Sequence, residues 1–143
     1  IDLIIVHCSA TPANMDVGVK EIREWHKAKG WNDVGYHEVI RRNGVVDPGR
    51  SYETVGAHAK GYNSRSLGIC LIGGVKKSGA KLLAEDNFMP IQKDVLEKRL
   101  RHMLKLYPGA KIIGHRDVEK GKECPSFSVK DFLVARGFKV EWK

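Results

Sequence analysis

Residues 3–12 have the sequence LIIVHCSATP, in which an apolar run passes directly into a polar loop. The run from Leu3 to His7 is rich in β-branched residues and predicts a buried strand. The residues from Cys8 to Pro12 indicate that a loop follows this strand. His7 therefore ends a strand, which is a place where functional sites are usually built.

The rest of the chain alternates between helical and strand patterns around this first strand. The Asn43-Gly44 pair is the strongest short signal for a β-hairpin, and Ser128 followed by Asp131 is typical of a helix N-cap. We predict an α/β fold with a central mixed β-sheet flanked by about three helices. The predicted helices cover Val19 to Lys29, Pro90 to Tyr107 and Ser128 to Gly137; the predicted later strands cover Gly35 to Arg42, Val45 to Asp47, Leu67 to Ile72 and Lys111 to Gly114.

Length and charge limit the classes of function. The 143 residues are sufficient for one domain, which we expect to span 1–143. No apolar run approaches the roughly 20 residues that span a bilayer, so membrane insertion is not expected. The net charge of +8 favours polyanions. The basic residues are nevertheless spread along the chain without a nucleic-acid-binding motif, so an anionic cell wall or an acidic peptide is an equally good partner by charge alone.

Two histidines and a cysteine form a candidate metal site. Three cysteines, an odd number, argue against a disulfide scaffold and leave room for a thiolate ligand. Catalytic zinc takes three protein ligands, commonly imidazole and thiolate, and keeps one position open. His7 and His115 each lie at a strand end, and Cys124 lies in a loop before the last helix. Their spacing is not a local zinc signature, and each residue alone is more often structural.

The other cysteines and histidines are weaker candidates. Cys8 follows His7 on a strand and should point to the opposite face, while Cys70 lies in an apolar strand and is predicted to pack in the core. His26 and His102 lie among Lys and Arg on helices and are expected to be solvated or partly packed. In the pair Tyr36-His37, one side chain faces the core and the other faces the site, and the pattern does not say which.

Six segments, taken together in order, resemble the N-acetylmuramoyl-L-alanine amidase type 2 family, above all its small phage members. The resemblance covers nearly the whole chain, and six collinear motifs are far more specific than one. It implies a central mixed sheet flanked by helices, a fold shared with peptidoglycan recognition proteins. The segments are VHCSAT (6–11), VGYH (34–37), GAHAKGYN (56–63), SLGICLIGG (66–74), GHRDV (114–118) and KECPSF (122–127).

The resemblance also implies an activity and a set of site residues. Carried over residue by residue, one zinc ion per chain is bound by His7, His115 and Cys124. The family's catalytic tyrosine corresponds to Tyr36 and its catalytic lysine to Lys122. The implied reaction is hydrolysis of the amide bond between N-acetylmuramic acid and L-alanine in bacterial peptidoglycan.

Two further residues receive weaker assignments. His58 is expected to line the groove and contact substrate; the alternative is a loop residue bonded to backbone. Asp117, two residues beyond His115, is expected to orient an imidazole from outside the ligand set. The alternative for Asp117 is a surface salt bridge with Arg116.

The biological setting follows from the same resemblance. We expect a monomeric phage or prophage endolysin that is made in the cytoplasm and acts at the cell wall or periplasm after release. The family's phage members carry a polar segment before the first strand, whereas this chain begins two residues before Leu3. Binding to a phage RNA polymerase therefore stays open. The loop between His115 and Cys124 has one extra residue, which should bulge without moving its ends.

Three alternatives to an enzyme remain. A non-catalytic peptidoglycan-binding receptor could share the fold, but such relatives typically lose the ligand cysteine. A polymerase-binding inhibitor would bind protein tightly without lysing walls. A nucleic-acid module would show affinity that falls steeply with salt.

Overall fold

The computed structural model describes residues 1–140 and contains a five-stranded sheet, a separate two-stranded hairpin and three α-helices within that range. Single 3₁₀ turns cover Asn63–Arg65 and His115–Asp117. The strands are β1 (Leu3–Cys8), β2 (Glu38–Ile40), β3 (Val46–Pro48), β4 (Ser66–Leu71), β5 (Val75–Ser78), β6 (Lys81–Ala84) and β7 (Lys111–Gly114); the helices are α1 (Val19–Ala28), α2 (Pro90–Leu106) and α3 (Val129–Ala135).

The main sheet is mixed and has the strand order β3-β2-β4-β1-β7. The first strand of the sequence lies between β4 and β7 and runs parallel to both. Strand β2 runs parallel to β4, and only β3 is antiparallel to its neighbour. The predicted mixed sheet with three helices is confirmed.

The apolar run at residues 3–6 is continuous because β1 is covered on both faces. All six residues of β1 are buried, as expected for an inner strand of a parallel sheet. Ile4 and Val6 belong to the large core that includes Leu96 of α2 and Leu133 of α3. Ile5 points to the other face, and the two-residue alternation of a strand directs His7 to that same face.

The short signals at turns and helix ends are confirmed. Asn43-Gly44 lies between the antiparallel strands β2 and β3, and Gly44 has the positive φ of 86° that such a turn favours. The Ser128 side chain accepts a hydrogen bond from the Asp131 N–H at 3.1 Å and so caps α3. Predicted boundaries differ from the observed ones by a few residues at most ends, the usual margin for frayed elements.

The β5–β6 hairpin is the element that the sequence did not predict. Its residues from 76 to 84 are exposed, including Leu82 and Leu83. A hairpin without a buried face has no alternation between apolar and polar residues, which is the signal used to recognise strands.

Within the described residues, no helix combines the length and apolar character needed to cross a membrane.

Candidate active site

The three candidate metal ligands meet at one end of the sheet. His7 lies near the carboxyl end of β1, and His115 directly follows β7, the parallel neighbour of β1. The register pairs Val6 with Gly114, so the next residues along the two strands are the two histidines. The loop before α3 brings Cys124 to the same place, and the ligand atoms of all three side chains lie within 4.8 Å of one another.

The donor set and spacing fit zinc. The distance from His7 Nδ1 to Cys124 Sγ is 3.8 Å. Tetrahedral zinc with ordinary Zn–N and Zn–S bonds separates two such ligands by roughly 3.6 Å. Imidazole and thiolate are both zinc ligands, and a catalytic zinc site has three protein ligands. The described residues therefore contain a cluster that could hold a metal ion.

Each histidine of the cluster has its outer nitrogen engaged elsewhere. The Nε2 atom of His7 is 2.8 Å from Nδ1 of His58. The Nε2 atom of His115 is 2.6 Å from a carboxylate oxygen of Glu119. The Nδ1 atom of each ring therefore remains as the available ligand atom.

Burial favours the neutral imidazole at His7 and at His58. Desolvation, followed by the neighbouring rings of His58 and His115, lowers the pKa of His7 well below its usual value. Burial, together with His37 and His115, lowers the pKa of His58 to about 3. A neutral imidazole has the free lone pair that a metal ligand needs.

The surroundings of Cys124 disfavour ionisation of its thiol. The thiol of Cys8 and burial together raise the pKa of the Cys124 thiol. The Cys8 backbone N–H, 3.2 Å from Cys124 Sγ, supplies one hydrogen bond that favours the thiolate. A metal ion beside Cys124 would supply the larger stabilisation, since metal binding and thiol deprotonation are coupled. Cys8 itself is not in the cluster; its Sγ lies 3.9 Å from Ser126 Oγ.

The metal cluster lies in a cleft with a volume of about 510 Å³, and Tyr36 and Lys122 line the same cleft. The Tyr36 ring centroid is 5.1 Å from that of His7. Tyr36 thus faces the site, whereas His37 Nδ1 accepts a hydrogen bond from the Gly68 N–H in the sheet. Burial, with smaller effects of nearby thiols, raises the pKa of Tyr36 well above its usual value, so the phenol keeps its proton. The side chain of Lys122 is exposed at the cleft.

The structure places His58 in the cleft and Asp117 in a backbone turn. His58 does line the cleft, but its ring nitrogens are engaged by His7 and Ser66. The Asp117 carboxylate accepts a hydrogen bond from the Gly114 N–H at 2.7 Å and so closes a backbone turn. The carboxylate that contacts the imidazole of His115 is that of Glu119, four residues further along the chain. That i,i+4 spacing on a helical turn was a signal available in the sequence.

His26 lines the cleft, a position that the sequence did not predict. Of the two expectations for its side chain, solvated or partly packed, the structure excludes the first, since the side chain is buried. Its Nδ1 atom accepts a hydrogen bond from the Gly35 N–H at 2.8 Å, and its ring centroid lies 5.6 Å from that of Tyr36. His26 therefore holds the segment that carries Tyr36. The available signal was its position four residues after buried Ile22, on the same face of α1.

Comparisons with known proteins agree with this geometry. A family model described as N-acetylmuramoyl-L-alanine amidase matches residues 1–127. The chain is 53% identical over 127 residues to the endolysin of Klebsiella phage KP32, covering 89% of this chain and 82% of that protein. It is 49% identical over 129 residues to the endolysin of Escherichia phage T7, covering 90% and 83%. The solved N-acetylmuramoyl-L-alanine amidase LysC from Clostridium intestinale URNW is 28% identical with a TM-score of 0.80, over 96% of this chain and 86% of that one.

Proposed function

The chain belongs to the N-acetylmuramoyl-L-alanine amidase family, and we propose that it hydrolyses its amide substrate with one zinc ion bound by His7, His115 and Cys124. The observation that carries the zinc assignment is the convergence of three ligand atoms within 4.8 Å in a cleft. Tyr36 and Lys122 line the same cleft and supply the remaining groups that amide hydrolysis needs.

The scissile bond joins the lactyl carbonyl of N-acetylmuramic acid to the nitrogen of L-alanine. Its hydrolysis places the oxygen of water on the carbonyl carbon, breaks the C–N bond and leaves a carboxylate and an amine. Zinc at this position would supply Lewis acidity, which polarises the carbonyl and makes water more acidic. The three ligand side chains would hold the ion in the cleft. His58 and Glu119 would hold the rings of His7 and His115 in the orientation needed to bind it.

Lys122 and Tyr36 act on charge and protons that appear during the reaction. Addition of water to the carbonyl places negative charge on its oxygen, and the ammonium of Lys122 can stabilise that charge from the cleft. The raised pKa of Tyr36 keeps its hydroxyl protonated at neutral pH. That hydroxyl can donate a hydrogen bond to the same oxygen or pass a proton to the leaving amine.

The substrate is bacterial peptidoglycan, and the protein is an endolysin of phage type that reaches the cell wall after release from the cytoplasm. The similarity to two phage endolysins over about nine-tenths of this chain supports this setting. The net charge of +8 suits an anionic wall. We further propose that residues 1–143 act as one monomeric amidase domain.

A non-catalytic receptor on the same fold is the main competing function. A receptor needs a groove but needs neither a metal cluster nor polar groups aimed at a reacting bond. Here Cys124 lies with two histidines, and Tyr36 and Lys122 border the same cleft. This combination favours the enzyme.

Chemical analysis of digested sacculi tests the proposal. Purified sacculi are incubated with the protein, and new L-alanine amino termini and new reducing sugar ends are counted. We expect amino termini alone, their loss after chelation and their return with zinc. New reducing ends would indicate a glycosidase, and chelator-resistant release of amino termini would exclude the zinc mechanism.

A further inference from the structure

His58 contacts the nitrogen of His7 that faces away from the metal cluster. His7 Nδ1 lies 3.8 Å from Cys124 Sγ, whereas His7 Nε2 lies 2.8 Å from His58 Nδ1. A neutral imidazole has one N–H donor and one lone pair. If Nδ1 offers its lone pair to zinc, Nε2 carries the hydrogen and donates it to His58.

The hydrogen bonds beyond His58 continue in the same direction. Because His58 Nδ1 accepts, its Nε2 carries a hydrogen and donates to Ser66 Oγ at 3.3 Å. The Ser66 hydroxyl in turn donates to the backbone carbonyl of Tyr62 at 2.8 Å. This series of hydrogen bonds ends at the Tyr62 carbonyl, which can only accept a hydrogen bond. Every donor in the series therefore has an acceptor.

The opposite direction does not satisfy these contacts. His58 Nε2 would then have to accept a hydrogen from Ser66, but the Ser66 hydroxyl hydrogen is already directed at the Tyr62 carbonyl. His7 would also present an N–H, instead of a lone pair, toward Cys124. The Tyr62 carbonyl therefore determines the tautomers of both His58 and His7.

The backbone forms a slot for the His58 ring. A Cβ atom added at Gly68 would lie 2.6 Å from His58 Cγ, and one added at Gly56 would lie 2.7 Å from His58 Cδ2. The Asn63 side-chain oxygen accepts from the backbone N–H groups of His58 and Ala59 at 2.9 and 2.8 Å. Both the ring and the backbone of His58 are thereby fixed.

We propose that His58 is a positioning residue that holds His7 in the tautomer and orientation required to bind zinc through Nδ1. This role rests on the proposed zinc site and replaces the expected contact of His58 with substrate. Glu119 contacts the Nε2 atom of His115 as His58 contacts the Nε2 atom of His7. Glu119 differs from His58 in being a carboxylate and in having a side chain that is 44% exposed. The two ligand histidines are thus oriented by chemically different partners.

Zinc affinity of the purified chain tests this role without relying on activity. His58→Phe retains ring volume but has no acceptor, and His58→Asn places an amide oxygen near the position of Nδ1. His37→Phe is the matched control for a change in a neighbouring ring: His37 is also a buried histidine, its ring lies 5.8 Å from that of His58, and its ring nitrogens bond only to backbone. The dissociation constant is measured by competition with a chromophoric chelator, on variants shown to be folded by circular dichroism.

We expect His58→Phe to weaken zinc binding by about 10–100-fold, the usual effect of removing such a partner. His58→Asn should recover most of that loss, and His37→Phe should stay near the parent. Long-range ¹H–¹⁵N spectra of the zinc-loaded parent should place the hydrogen of His7 on Nε2. Unchanged affinity in His58→Phe, an equal loss in His37→Phe, or a hydrogen on Nδ1 would overturn the positioning role while leaving the zinc amidase intact. A parent chain that binds no zinc would overturn both.

Discussion

Replacing Gly68 with Ala should disturb zinc binding through His58, although Gly68 touches no ligand. Gly68 lies in β4 and does not have a positive φ, so its backbone can accept an alanine. The added Cβ would lie 2.6 Å from His58 Cγ and 2.8 Å from His58 Nδ1. Atoms in ordinary contact are roughly 3.5–4.0 Å apart, so the ring must recede by about 1 Å.

That displacement moves the atom that accepts the hydrogen bond from His7. The bond is 2.8 Å long, and lengthening by about 1 Å would take it out of hydrogen-bond range. We expect Gly68→Ala to weaken zinc binding by about 10–100-fold, equivalent to about 1.4–2.7 kcal/mol. Overpacking should also lower the free energy of unfolding of the metal-free chain by about 1–3 kcal/mol.

A double-mutant cycle separates this effect from general damage to the sheet. Zinc dissociation constants are measured for the parent, Gly68→Ala, His58→Ala and the double variant, and unfolding by denaturant is followed with chelator present. Once the ring is absent, the added methyl group has nothing to displace. Gly68→Ala should therefore have little further effect on zinc in the His58→Ala background. Equal losses in both backgrounds, or parent-like affinity in Gly68→Ala, would refute the reasoning.

Further predictions concern the reaction and the charge. Tyr36→Phe and Lys122→Ala should each lower turnover by roughly 10²–10³-fold. Both variants should keep the zinc content and the sacculus binding of the parent. Near-normal turnover in either variant would show that the replaced residue is not catalytic. Lysis of sacculi should slow as salt rises to 1 M, where the Debye length falls to about 3 Å from about 8 Å at physiological salt. Hydrolysis of a small soluble muramyl peptide should change much less, and a parallel loss would place the charge effect inside the site.

The elements that the sequence predicted are those with at least one buried face. Every residue from Leu3 to Val6 is apolar because β1 is covered on both faces. The β5–β6 hairpin is exposed over residues 76–84 and has no such face there. Prediction therefore succeeded where the sheet packs against helices and failed where two strands pair mainly with each other.

The predicted ligand set depended on resemblance, since spacing alone does not bring His7 near His115. Their proximity follows from the parallel register of β1 with β7, which pairs residues 108 positions apart, as Val6 and Gly114 show. No local pattern encodes such a register. The contact between His58 and His7 is likewise a tertiary feature, since it joins a loop residue to a strand 51 residues away.

The most direct test of the zinc assignment compares two neighbouring cysteines. Cys124 belongs to the candidate metal cluster, whereas Cys8 lies beside it and contributes a backbone hydrogen bond that survives replacement of its side chain. Zinc per chain is measured by elemental analysis in the parent, Cys8→Ser and Cys124→Ser, together with circular dichroism and release of L-alanine amino termini from sacculi. We predict one zinc ion and hydrolysis in the parent and in Cys8→Ser, but loss of both in a folded Cys124→Ser. Stoichiometric zinc in Cys124→Ser would contradict the site.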